Sequence, residues 1–542
     1  MIDNTINQNA ASDPPLSELE NTTAEQENRS ISPFQQEPYP EIFIGLVSPL
    51  GVDLDTVCEE LSEALVEVGY SPEIVRLSDV FQVNTIRKIH NTTLKEDPVD
   101  DRIKSYMEAG NKLRKNLDRK DALALLAVTQ IRDKRKQKGQ DADRFISSKA
   151  YILRSFKNKD EIDTLRNIYG SSFFVISAYS SRNKRKNNLA KRIEHSKGKA
   201  KGHDSNAISE GLIDTDYEEE NDEHGQDVKS AFPMGDLFVN VEETRPQLQK
   251  SIKRFIHSLF GYPYNTPTKN EFGMFLAFSV ALRSADLSRQ VGAAILNTEG
   301  DLLAIGCNEV PKFGGGQYWE DDSLQKARDF EIGYDSSAKM KRELLEQTIR
   351  IMKDDGYIKS DQEISEIANS LLKGSLRNAD IANLLEFGRM IHAEMAAISD
   401  AAKRGISLKG ATIYCTTFPC HMCARHIISA GIVKVIYVEP YPKGKAQQLH
   451  SDSIAVDVSD HVESKVEFSP FVGISPYRFH DFFKHGKIKD EHGNNIKWRA
   501  NESKPKIKIY NAASYTEHEK DVVRLISEVI SEYEKKNSMD KG

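Results

Sequence analysis

Apolar positions along the chain fall into two recurring patterns, short continuous runs and runs spaced three or four apart. Residues 42–47 (IFIGLV) are apolar throughout and predict a strand buried on both faces. Residues 54–68 carry the helical spacing, 73–77 (EIVRL) predict a second strand, helical stretches follow around 100–133, and 172–177 (SFFVIS) predict another buried strand. Strand–helix–strand alternation implies an α/β domain on a largely parallel sheet. Between 182 and 223 the apolar pattern stops, and it returns over 232–259. After a linker-like GYPYNTPTKN (261–270), a second α/β unit is predicted. Its elements are helix 271–286, strands 290–296 and 302–307, helix 391–404, strand 411–417, helix 420–430 and strand 433–438. The polar stretch 311–390 is too long for a simple connection and reads as a lid or insert.

These patterns divide the chain into a disordered leader (1–38), a first α/β domain (40–262), a second (270–500) and a charged helical tail (505–542). The first domain has a charged insert at 182–230, basic in its first half and acidic in its second. The two halves suit a solvated insert or a lid that handles phosphate or RNA. A length of 542 residues fits more than one core.

Composition narrows the setting. No stretch approaches the roughly 20 apolar residues that cross a bilayer, and the first residues have neither a basic leader nor an apolar core. Five cysteines, three of them within 415–423, are too few and too clustered for a disulfide framework. The expectation is a cytoplasmic protein with no membrane partner. A net charge of −8 argues against a long duplex as substrate.

The chemistry concentrates in His392-Ala393-Glu394 and Pro419-Cys420-His421-Met422-Cys423. The Cys-x-x-Cys pair sets two sulfurs about a turn apart at a helix start, where free N–H groups favour thiolates. With His392 they make three protein ligands for Zn2+ and leave one tetrahedral position open, the catalytic arrangement. Glu394, two residues past the histidine, can enter the site without ligating and act as the proton carrier. A closed knuckle with Cys415 or His426 as fourth ligand is the structural alternative. His-x-Glu with Pro-Cys-x-x-Cys is the signature of zinc deaminases.

Residues 283–308 and 392–438 resemble deoxycytidylate deaminases. The resemblance implies a cytidine deaminase-like α/β/α domain with His392, Cys420 and Cys423 as ligands and Glu394 as the catalytic residue. It also implies Asn308 near the nucleoside sugar. FGGGQYW (313–319) departs from the family, and Tyr318 and Trp319 there suit either stacking on the substrate ring or anchoring a turn.

In the first domain, Gly45 and Gly51 bracket a segment with the setting of a phosphate-binding loop. It is a degenerate P-loop, one residue too long and with Val52-Asp53 where the lysine and hydroxyl belong. A P-loop NTPase or kinase-like domain joined to a deaminase-like one resembles the bacterial anti-phage deoxycytidine-nucleotide deaminases. Residues 150–170, 173–182, 441–454 and 471–483 are similar to that family too. The resemblance implies hydrolytic deamination of dCTP or dCMP, depletion of the dCTP pool in antiviral defence, and a homo-oligomer. A regulatory nucleotide or RNA inhibitor is the implied restraint. Lys443, Lys445, His450 and Arg478 are candidate phosphate contacts. The other readings are a tRNA or single-stranded DNA base deaminase, and a nucleotide- or RNA-sensing module with the deaminase as scaffold.

Overall fold

The apolar run at 42–47 forms β1 (Ile42–Val47), every residue of it buried, because strands flank it on both sides and helices cover both faces. The computed structural model describes residues 37–539 apart from 140, 198–203, 218–223, 323–326, 377–378, 380, 382–383, 385–386, 440–444, 458–463 and 508–512. β2 (Ser71–Arg76), β3 (Lys149–Phe156), β4 (Phe173–Tyr179) and β5 (Leu237–Asn240) join β1 in a parallel sheet of order β5-β4-β1-β3-β2. The order reverses at β1, whose C-terminal end is therefore a topological switch point. The helix that follows, Leu54–Glu67, is capped by Asp53, whose carboxylate accepts the N–H groups of Asp55 and Thr56.

Gly45 lies inside β1, paired with Leu153 and Val175. A Cβ there would come within 2.6 Å of the Phe156 ring and 3.0 Å of Phe173. Ring packing accounts for this glycine. Gly51 is in the loop after β1, at φ +90°.

Helices form at 182–197 and 205–217, where the density of charge suggested none. Helices Arg182–Lys197 and Ser205–Tyr217 pack together and bury Leu189, Ile193, Leu212 and Ile213. Ion pairs Arg182–Asp214 (2.7 Å) and Lys186–Glu210 (2.8 Å) join the basic half to the acidic half.

A second sheet has the order β10-β11-β9-β8-β6-β7. β6 (Gly292–Leu296) is antiparallel to both β7 (Leu302–Cys307) and β8 (Thr412–Cys415). β9 (Lys434–Tyr437), β10 (Ile454–Val456) and β11 (Val466–Pro470) continue it in parallel. Helices lie very close to it on both sides. A Cβ on Gly292 would meet the Ala277 carbonyl oxygen at 1.9 Å, and one on Gly306 the Ala393 carbonyl oxygen at 2.4 Å. Within the insert, helices Ser336–Asp354 and Ile364–Lys373 share a small cluster of Leu345, Ile349 and Ala368.

After β11 the chain returns to the first sheet. β12 (Gly473–Ile474) pairs antiparallel with β5. Helix Ala513–Met539, in the stretch read as a charged tail, buries Tyr515, Val522 and Ile526 in the first core. No helix among the described residues is long and apolar enough to cross a membrane.

Candidate active site

His392 is the N-cap of helix Ala393–Lys403, and Cys420 the N-cap of helix His421–Ser429. β8 runs between them and brings the two helix starts together. His392 Nδ1 is 3.4 Å from Cys420 Sγ and 3.4 Å from Cys423 Sγ, and the three donor atoms lie within 4.8 Å of one another. A tetrahedral zinc with arms of about 2.1–2.3 Å has edges of roughly 3.5 Å, so the trio fits the ion. Among the described residues this is the one group of three or more His, Cys or acidic side chains close enough to hold a metal, and it includes neither Cys415 nor His426.

The electrostatics agree with that fit. Hydrogen bonding from Cys423 draws the Cys420 thiol down to about 4 against the cost of burial, with His392 adding to the effect. The Cys423 thiol is pushed up, first by its hydrogen bond with Cys420 and then by burial. A thiolate, a thiol and an imidazole crowded at this spacing form a site whose protons a divalent cation replaces. Glu394 is 3% exposed, and its Oε2 sits 3.4 Å from Cys423 Sγ. Burial raises its carboxyl, and the Cys420 charge raises it further.

His392, Glu394 and Cys420 line one side of a cavity of about 290 Å³. Asn308 lines it as well, but both ends of its amide are engaged. Its Oδ1 accepts the Val291 N–H at 2.7 Å and its Nδ2 donates to the Arg289 carbonyl at 2.9 Å. Phe418, on the loop before the cysteines, closes another wall. Three cations that sequence reasoning did not single out reach the same cavity: Arg289, Lys341 and Arg389. Lys341 comes from the long insert helix, and Arg389 pairs with Asp329 at 3.2 Å.

Tyr318 and Trp319, expected at the substrate, are not among the residues lining this cavity. Lys312 N–H bonds the Gly316 carbonyl in a tight turn, and Gln317 then folds back onto the Cys307 carbonyl. That path carries Trp319 to a separate pocket of about 670 Å³ behind helix Ala393–Lys403, where the Arg283 guanidinium stacks 3.6 Å from its ring centre. The described phosphate candidates are likewise elsewhere. Arg478 Nε donates to Asp236 Oδ1 at 2.8 Å beside the first sheet. Lys445 and His450 do not line the cavity, and Lys443 lies outside the described residues.

Residues 267–439 match the family described as the cytidine and deoxycytidylate deaminase zinc-binding region. The chain is 51% identical to the deoxycytidylate deaminase of Enterobacteria phage T2 over 55 residues, 10% of this chain and 29% of that protein. It is 29% identical to the deoxycytidylate deaminase of Mus musculus over 168 residues, 31% of this chain and 63% of the mouse protein. Among solved structures, the dCMP deaminase of cyanophage S-TIM5 in complex with dCMP and dUMP is similar at 18% identity and a TM-score of 0.22. That match covers 38% of this chain and 99% of the other. The chain thus spans less than a third of the phage T2 relative's length and under two thirds of the mouse relative's.

Proposed function

We propose that the chain deaminates deoxycytidine nucleotides by hydrolysis, taking dCMP and dCTP to dUMP and dUTP with release of ammonia. The observation that carries this reading is the convergence of His392 Nδ1, Cys420 Sγ and Cys423 Sγ beside the buried Glu394 carboxylate. A zinc ion held by the trio would supply the Lewis acidity that makes water a nucleophile near neutral pH. Glu394 Oε2 takes a proton from the attacking water and hands it to the ring nitrogen. It then takes the remaining hydroxyl proton of the adduct at the ring carbon and passes it to the amino group, which leaves as ammonia when the carbon–nitrogen bond breaks. Burial lifts the Glu394 carboxyl toward the range where one group both accepts and donates protons.

The nucleotide part of the reading is supported by the family matched at 267–439 and by relatives named for deoxycytidylate. Arg289, Lys341 and Arg389 border the cavity together with Asp286, Asp329 and Asp335, and Arg389 is engaged by Asp329. A triphosphate substrate, a role in anti-phage defence through loss of dCTP, and a restraining nucleotide or RNA rest on the resemblance of the wider chain. A homo-oligomer belongs to the same proposal, supported by the exposed apolar side chains of Leu282, Phe313 and Trp319.

The test offers cytidine, dCMP, dCTP and single-stranded DNA to the zinc-loaded protein and to E394Q, and measures ammonia and uracil products. Conversion of the free nucleotides should fall by about 10²–10⁴ in E394Q with zinc retained. Conversion of the polymer alone would replace this reading with a polynucleotide base deaminase. Plating phage on cells carrying either form checks the defence role: protection that survives E394Q would favour the sensing module instead.

A further inference from the structure

The Phe418 wall of the zinc cavity is held from a distance. Its ring stands edge-on to Tyr437, with ring centres 4.9 Å apart and planes at 88°, and lies 5.5 Å from the Phe468 ring. Its own N–H donates to Glu439 Oε2 at 3.2 Å, so backbone and ring are fixed separately. Tyr437 ends β9 fully buried, and its Oη donates to Asp457 Oδ1 at 2.8 Å. A buried hydroxyl left without its partner is costly, so the carboxylate decides where the Tyr437 ring rests.

Asp457 directly follows β10 and has φ +55°, a conformation that suits Asp, Asn and Gly. Its N–H donates to the Phe468 carbonyl at 3.2 Å. One residue therefore steadies both of the rings that flank Phe418. The same carboxylate faces the first unit. Burial raises it, while Tyr179 at the end of β4, Tyr437, and Arg185 of helix Arg182–Lys197 draw it down, and Glu242 raises it. Arg185 Nε is itself tied to the end of β4, donating to the Ser180 carbonyl at 2.9 Å. Asp457, Tyr179 and Arg185 all lie outside residues 267–439, so part of the wall's support comes from beyond the family-matched stretch.

We propose that Asp457 is a positioning residue for the zinc cavity, fixing Tyr437 and through that ring Phe418, and tying this wall to Tyr179 of the first unit. Its effect on turnover rests on the deaminase reading; its effect on the closure of the wall does not.

The experiment uses the full zinc-loaded chain and its D457G, D457N, Y437F and D457G/Y437F variants, with thermal melts to show which are folded. Glycine keeps the backbone conformation and loses the acceptor, whereas asparagine keeps both. Two quantities are read: KM and kcat for dCMP, and the rate at which zinc passes to the chelator pyridylazoresorcinol. D457G and Y437F should each raise KM about ten-fold, the value of one hydrogen bond to a charged group, and leave kcat near wild type. Zinc release should quicken by a similar factor, as the loosened wall admits the chelator. D457N should stay close to wild type in both. The double variant should lose no more than the worse single one, since both substitutions break the same link. Should D457G not fold, Y437F alone carries these expectations. A folded D457G that matches wild type in both readouts would overturn the proposal and leave Asp457 as a turn residue. Additive losses in the double variant would overturn it as well. A wild type that converts no nucleotide would refute the deaminase reading instead. Zinc release then decides this inference, upheld by quickening in D457G and Y437F and overturned by an unchanged rate.

Discussion

Arg135 and Glu519, 384 residues apart in sequence, meet fully buried with two hydrogen bonds between them, at 2.5 and 2.9 Å. Glu41, at the start of the first sheet, takes the guanidinium from the other side at 2.6 and 3.0 Å, and Tyr515 Oη donates to Glu41 at 3.1 Å. One cation therefore holds two carboxylates inside the core and fastens helix Ala513–Met539 to it. Arg135→Ala removes the main partner of both acids, leaving Glu519 with Arg132 at 3.8 Å, and breaking a buried pair in this way costs about 3–5 kcal/mol. The variant should unfold at clearly lower urea. Arg135→Met with both acids changed to Gln should recover part of the loss. An unchanged midpoint for Arg135→Ala would mean that the network contributes nothing net.

Cys420→Ser removes one of the three proposed ligands and the thiolate that hydrogen bonding and His392 stabilise. Zinc per chain, measured by atomic emission after dialysis, should drop from near one to roughly a tenth, because a hydroxyl seldom replaces a thiolate on zinc. Cys415→Ser should leave the metal content unchanged, since Cys415 lies buried in β8 as part of the second core. Full zinc in Cys420→Ser would show that the ligand set is wrong.

Arg328 clamps the insert to the cavity wall through Glu309. The buried Glu309 carboxylate pairs with Arg328 at 3.1 Å and also accepts the N–H groups of Ala285 and Val310. Ala285 leads into residues 286–291, several of which line the zinc cavity. Arg328→Ala should therefore raise KM for the nucleotide by roughly ten-fold, the value of one hydrogen bond to a charged group. It should leave kcat close to wild type, as Glu394 is not in contact. A fall in kcat with KM intact would contradict that division.

Glu73 gives a pH signature in the first unit. Burial alone would raise its carboxyl, but hydrogen bonds from Lys149 (2.7 Å), Lys138 (2.9 Å) and Lys134 (3.1 Å) outweigh it and draw the pKa from 4.5 to about 2. A folded pKa below the unfolded one means stabilisation that is full above about pH 4.5 and lost as the pH falls toward 2. Glu73→Gln should thus be less stable than wild type at pH 7, and the gap should close on acidification. Denaturation midpoints at pH 7, 4.5 and 2.5 test this; a gap that widens in acid would reverse the sign.

The convergence of His392, Cys420 and Cys423 was legible because each sits at or beside a helix start, where three or four residues of spacing decide the geometry. The position of Glu394 beside them followed by the same local rule. Lys341 and Arg389 were not, since their approach to the cavity depends on how the insert folds over it, and Arg289 reaches it from an irregular loop before β6. Gly45 carries a second constraint that its spacing from Gly51 does not show: the rings of Phe156 and Phe173 on neighbouring strands leave no room there for a Cβ. Helices 182–197 and 205–217 were hidden by their charges. The apolar pairs Leu189/Ile193 and Ile208/Leu212 have the right spacing but are outnumbered by polar neighbours.

β12 and the final helix complete the first sheet and core only after every strand of the second sheet has been made. On the ribosome, then, β6 to β11 emerge as an uninterrupted set that can close on itself early. The first unit, begun hundreds of residues before, waits with Arg135 and Glu41 lacking Glu519 and Tyr515. The unit begun first is the one completed last.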